Sequence, residues 1–246
     1  MKRPLRIVLL AVLAFAAILV IRIPAALVVP SRLAQSLCAT LDGTLWSGTC
    51  SGVVVSGMAL GDLSWDLHPL RLLIGQLAAR VKLANGVVAG TGELQLGFGG
   101  HLTLRNVLAD LPLDPQLISG VPQNLRGHAH LDLSLVRLEH GIITQLEGRI
   151  EAHDLEDRSG GNDTALGSYL VSFPPGVVGD PTGKIRDLDG PLALEGTLRL
   201  TRAPGFELEG FIAPRKGASP EVVNNLQFLG SPDASGRRSF SLAGTF

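Results

Sequence analysis

The closest pair of histidines, His128-x-His130, has the spacing that could do metal chemistry, and His140 follows nearby. Residues two apart on a strand share a face, so both rings could address one zinc or copper ion. The same spacing describes a solvent-facing strand edge, and that reading is adopted: no metal is expected. Cys38 and Cys50 are the only cysteines, and no cluster of His, Asp or Glu flanks them to complete a metal site. In an oxidising compartment they pair as a disulfide worth about 3 kcal/mol for so short a loop. Two buried free thiols are the alternative. Glu147, Glu151, Glu207 and Glu209 fall on polar faces and read as solubility devices rather than acid–base pairs. There is no Gly-x-Ser-x-Gly elbow, phosphate-cradling loop or His-Glu-x-x-His. No catalytic residue, no cofactor and no enzyme activity are expected.

The elements around these residues begin with a membrane-type segment. Lys2, Arg3 and Arg6 precede an uncharged run from Ile7 to Ile21, followed by Arg22 and the apolar Ile23 to Val29, with Pro24 inside and Pro30 after. Positive charge before a hydrophobic segment keeps the N-terminus in the cytoplasm and sends the rest across. The uncharged run covers about 22 Å as a helix against about 30 Å of hydrocarbon. Tilt, with snorkelling by Arg6 and Arg22, closes that gap. A cleaved signal peptide is the competing reading, but no Ala-x-Ala with a polar flank follows the run. The organisation is therefore residues 1–6 cytoplasmic, 7–29 a transmembrane signal anchor of the inner membrane, and 30–246 a periplasmic β-rich domain. Ser31 to Ala39 fits a short helical collar above the bilayer, with Leu33, Ala34 and Leu37 on one face.

Net charge is −1, so no basic excess draws the chain to nucleic acid. Thirty glycines and few aromatics point to Leu, Val and Ala packed on closely spaced strands. From Val53 apolar and polar residues alternate: Leu63, Trp65 and Leu67; Leu77, Ala79, Val81 and Leu83; then, after Asn85-Gly86, Leu94, Leu96 and Phe98. Pro69 to Ile74 fits either a loop or a helical turn. After a break at Asp110 to Pro115, Ala129, Leu131, Leu133 and Leu135 turn at Glu139-His-Gly141 into Ile142, Leu146, Ile150 and Ala152. Asp157 to Asp163 is a polar loop suited to a partner, and a subdomain boundary is placed near 157–164. Leu192 to Leu200 and Phe206 to Ile212 alternate again. Ser219-Pro220 starts a helix with Val222, Val223, Leu226 and Leu229 apolar, and Ser239 to Phe246 closes as a strand.

The fold class is thus mostly β: an N-terminal transmembrane helix, then a curved, largely antiparallel multi-stranded sheet domain with a few short helices. Strands that each present Leu to one face build a sheet whose apolar side must be covered by a second layer, by helices or by a ligand.

Both tryptophans fall in one glycine-rich stretch. Leu41-Asp-Gly43-Thr-Leu-Trp46-Ser-Gly48, followed by Leu63-Ser-Trp65-Asp-Leu-His-Pro69-Leu-Arg-Leu-Leu-Ile-Gly75, resembles the N protein family of the bacterial type II secretion system. The order of parts matches over essentially the whole chain. The resemblance implies a non-enzymatic accessory component that contacts other secretion parts, the C protein or the outer-membrane secretin. It implies no catalytic residues. Trp46 and Trp65 are the matching positions, read either as packing at the start of the sheet or as contact residues. The cysteine pair is not carried over from the resemblance. A second expectation, from the leucine pattern, is an inner-membrane-anchored lipid-binding or lipid-bridging protein with an apolar β-groove. The two differ in where the alternating leucines go, into a closed core or along an open groove.

Overall fold

The computed structural model describes residues 22–28, 37–55, 57–72, 74–97, 99–118, 121–159, 163–203 and 205–245. The signal anchor expected over 7–29 and the collar helix from Ser31 fall mostly outside them. Among the described residues no helix is long and apolar enough to cross a membrane.

The alternating segments assemble into one sheet of thirteen strands in chain order, and every neighbouring pair is antiparallel. The strands are β1 Thr40–Gly43, β2 Ser47–Val55, β3 Met58–Leu67, β4 Gln76–Ala84, β5 Ala89–Gly97, β6 His101–Pro112 and β7 Leu125–Glu139. They continue as β8 Ile142–Asp157, β9 Thr164–Phe173, β10 Thr182–Asp189, β11 Leu192–Thr201, β12 Gly205–Pro214 and β13 Arg238–Thr245. Short helices α1 Ala25–Val28, α2 Pro69–Leu72 and α3 Pro220–Asn225 punctuate the meander. α2 resolves the ambiguity at Pro69 in favour of a helical turn. Register shifts in β2–β3, β5–β6, β7–β8, β8–β9 and β9–β10 mark bulges, the devices that bend and further twist a long sheet.

The alternation sends leucines to one face. Leu133, Val136, Leu146 and Phe173 are buried at its centre, with Leu104, Ile150, Val171 and Leu198 packed around them. The Phe173 ring lies over Gly183, where an added β-carbon would be 2.8 Å from the ring. The missing side chain at Gly183 on β10 thus leaves room for this ring. A second cluster forms where α3 packs against the sheet, with Val222 and Leu226 against Leu192 and Ile212. Ser219 caps that helix by accepting from the Val222 N–H at 3.3 Å. The apolar face of the helix is narrower than the spacing suggests, because the chain tightens to a 3₁₀ turn at Leu226–Leu229. Val223 and Leu229 are exposed as a result.

Two expectations about strand limits change. The alternation is legible only from Val53, but the sheet begins earlier, at Thr40, with Gly48 and Gly52 inside β2. Between the expected hairpin and Leu192, the structure adds β9 and β10.

Candidate functional site

The N-terminal corner of the sheet is locked by several independent contacts. Cys38 and Cys50 form a disulfide with Cα atoms 5.4 Å apart, joining the segment before β1 to the middle of β2. Cys50 is buried, and the Ala39 N–H donates to the Ser51 carbonyl at 2.9 Å beside it. One rung pair away, Trp65 on β3 stands opposite Gly48 on β2. Its indole N–H donates to the Leu45 carbonyl at 3.2 Å, closing the β1–β2 connection that also carries Trp46. The Leu45 N–H donates in turn to the Ile23 carbonyl at 2.9 Å, and Pro24 bridges to Thr44. The chain arriving from residues 22–24 is therefore bonded to this corner. Further along, the Asp62 carboxylate accepts from the Gly52 N–H at 2.9 Å and the Asn85 amide at 3.0 Å. Those bonds, Asn85 first, hold its carboxyl below the usual range.

The face opposite the leucines is polar and runs as cross-strand rows. One row reads Asp132, Arg149, Ser172, Lys184, Thr197, Glu209 and Ser241 across β7 to β13. Arg149 donates to Asp132 at 2.7 Å, and Arg199 pairs with Glu207. Two adjoining cavities are lined by residues of these rows. One of about 900 Å³ is bordered by Lys184, Arg186, Glu195, Thr197, Glu209 and Phe211, and extends to Ser239 and Ser241 on β13. The other, of about 740 Å³, is bordered by Glu147, Arg149, Ser172, Pro174 and Val177. Both share Ser172, Lys184 and Thr197. Glu147 is no mere solubility device. It accepts from the Gly176 N–H at 2.8 Å and the Gln145 amide at 2.6 Å, pinning the β9–β10 loop that borders the second cavity. Arg237 reaches Glu195 at 2.7 Å and lies 4.8 Å above the Phe211 ring. With Arg149 and Glu195 already paired, the groove offers hydrogen-bonding groups and the Lys184 ammonium.

The histidines do not converge as their spacing allowed. His130 bonds Asp110 at 2.6 Å, and that carboxylate raises its pKa. His128 stands opposite His153, which bonds Glu151 at 3.1 Å. His140 lies at the far end of β7, edge-on to His101 with ring centroids 6.1 Å apart. Among the described residues no group of three His, Cys, Asp or Glu is arranged to hold a metal ion. The loop singled out at Asp157 to Asp163 joins β8 to β9. There Asn124 donates to Asp157, and Arg158 stands 3.6 Å from Asp163. Its residues 160–162 lie outside the described ones.

The stretch from the disulfide through the closing strand matches a family model over residues 37–241, described as type II secretion system (T2SS), protein N. This chain belongs to the type II secretion system protein N family. It is 28% identical to the type II secretion system protein N of Vibrio cholerae over 219 residues, covering 83% of this chain and 82% of that one. It is 26% identical to the protein of the same name from Aeromonas hydrophila over 260 aligned positions, 96% of each chain. No solved structure matches it. Membership makes the chain a component of type II protein secretion, the resemblance first carried by Trp46, Trp65 and their flanking residues.

The groove on the polar face was not legible beforehand. Its lining comes from strands brought side by side in space, and two of them, β9 and β10, were not expected. The available signal was the alternation of Lys184 and Arg186 with Ile185.

Proposed function

We propose that this protein is a non-enzymatic accessory component of the type II secretion machinery. A single N-terminal span anchors it in the inner membrane, and its sheet projects into the periplasm. There it links inner-membrane parts to periplasmic or outer-membrane parts, the C protein or the secretin, while folded proteins are exported. Family membership supports the pathway, and the disulfide supports an oxidising compartment.

The observation that carries the linking role is the difference between the two edges of the sheet. β1 has four residues and is tied down by the disulfide and the Pro24 bridge. β13 has eight, and among the described residues its pairing is with β12. It contains no proline, and its one charged residue, Arg238, stands at its first position opposite Ile212, so the stretch from Ser239 onward offers a template for an added strand. The cavity at Ser239 and Ser241, bordered by both polar and apolar groups, opens beside it and can take the side chains of such a strand. Trp46 and Trp65 serve in this reading to pack the start of the sheet.

A second reading has one observation in its favour. The leucine face belongs to a single sheet, and among the described residues α3 covers only its Leu192 and Ile212 corner. A lipid or acyl chain along that face would make the protein a lipid carrier of the inner membrane.

Photo-crosslinking in intact cells from Ser241, Leu242, Trp46 and Trp65 separates the two. Capture of the secretin or the C protein at 241 and 242 is the expected result. Capture of phospholipid or lipopolysaccharide alone at those positions would sink the linking role and favour the carrier.

A further inference from the structure

We infer that the β3–β4 connection is a second membrane contact, dipping into the periplasmic surface of the bilayer beside the anchor. This rests on the anchor reading of the N-terminal segment. In the connection, Leu70 is 77% exposed, Ile74 71% and Leu72 42%. Single apolar residues scattered on a surface need no explanation, but three within five residues form a patch that does.

The position of the patch identifies its occupant. β3 runs from Met58 to Leu67 toward the connection, and Ser47 at the start of β2 pairs with Asp66. The Pro24–Thr44 bridge and the Ile23–Leu45 hydrogen bond lie at that same end of the sheet. The apolar run Ile7 to Ile21 ends two residues before Ile23. Strands are spaced about 5 Å apart, so the Leu70–Ile74 tip lies within about 10–15 Å, laterally, of the point where the chain enters. An anchor that enters there brings this end of the sheet against the lipid.

The chemistry of the tip suits an interface. Amphipathic segments bury their apolar side about 5–10 Å into the boundary between headgroups and acyl chains. Arg71 stands between Leu70 and Leu72, where its guanidinium can meet lipid phosphates while its stem lies along apolar surface. Two contacts fix an orientation that one helix leaves free to swivel, so the sheet is held at a set angle to the membrane.

The test uses the full chain reconstituted in vesicles of phosphatidylethanolamine and phosphatidylglycerol, with a benzophenone side chain at position 70, 74 or 87. Val87 is 49% exposed in the β4–β5 turn at the opposite end of β4 and serves as the reference. Several-fold greater capture of phospholipid at 70 and 74 than at 87 is expected. Equal capture at all three, in a chain that stays with the vesicles, overturns the membrane contact while leaving the anchor intact. Capture of a second copy of the chain at 70 and 74 also overturns it. A chain that washes off the vesicles overturns the anchor reading, and this inference with it.

Discussion

The ring of Trp65 fills the space that a side chain at Gly48 would need: a β-carbon built there falls 2.4 Å from Cζ2 and 2.8 Å from Cη2. Since the same indole N–H also closes the β1–β2 connection at Leu45, the glycine and the tryptophan act as one unit. Gly48→Ala should cost about 1–3 kcal/mol by overpacking. In a Trp65→Ala background the same change should cost less, the part that remains coming from the Asp42 carbonyl oxygen, 2.6 Å from the same β-carbon. A double-mutant cycle by urea unfolding checks the coupling, and additive effects would show that the contact is not stabilising.

Loss of the Cys38–Cys50 disulfide should lower stability by about 2–4 kcal/mol. The bridge constrains the chain before β1, so Cys38→Ser and Cys50→Ser should each match the effect of reduction. Unfolding of the full chain in detergent with and without a reducing agent is the measurement. A double serine variant should no longer respond to that agent.

Phe173 is 4% exposed and stands at the centre of the main apolar cluster, whereas Phe228 is 89% exposed. Phe173→Ala should cost about 3–5 kcal/mol, and Phe228→Ala should stay within about 0.5 kcal/mol. Comparable losses in thermal unfolding would mean that the apolar face is not a packed core.

Acid should weaken the N-terminal corner and two loops in a defined window. Asp62 is held below the usual carboxylate range by Asn85 and Gly52, and Asp157 by Asn124 and Ser159. Asp233 is lowered from 3.8 to about 2, chiefly by Ser235 and the Arg237 N–H. A depressed folded pKa means stability that is present above the unfolded value and lost as pH falls through the folded one. Stability should therefore decline from about pH 4 downward. Asp62→Asn should flatten part of that slope, as urea midpoints across pH would reveal.

His130 should titrate in the other direction. Its pKa is raised by Asp110, so its contribution is complete below the unfolded value and fades as pH rises through the folded one. Asp110→Asn should bring its imidazole titration, followed by NMR, back toward the ordinary range.

Much of the sheet could be read from alternation, where a one-sided sheet leaves a regular period: β3, β4, β5, the β7–β8 hairpin, β11 and β12. The start of the sheet was obscured because Gly48 reads as a turn residue. It sits in a strand to leave room for Trp65, a tertiary reason invisible locally. β9 and β10 were hidden by Gly167 and by Asp187 and Asp189, residue types depleted in strands. Asp187 has a local task, accepting from the Leu194 N–H at 2.7 Å and pairing with Arg215. The disulfide partners followed from there being just two cysteines. The role of Glu147 did not, since its partner Gly176 lies in a loop that only the folded chain brings near.

The strand order from β1 to β13 also bears on how the protein folds. In a meander each strand pairs with the one just before it, so most loop closures are short and contact order is low for an all-β protein. An emerging chain finds its next partner already in place, and the sheet can grow from β1 toward β13 as synthesis proceeds. Growth of this kind has no step that waits for the C-terminus. Among the described residues it ends with β13, laid against β12 alone.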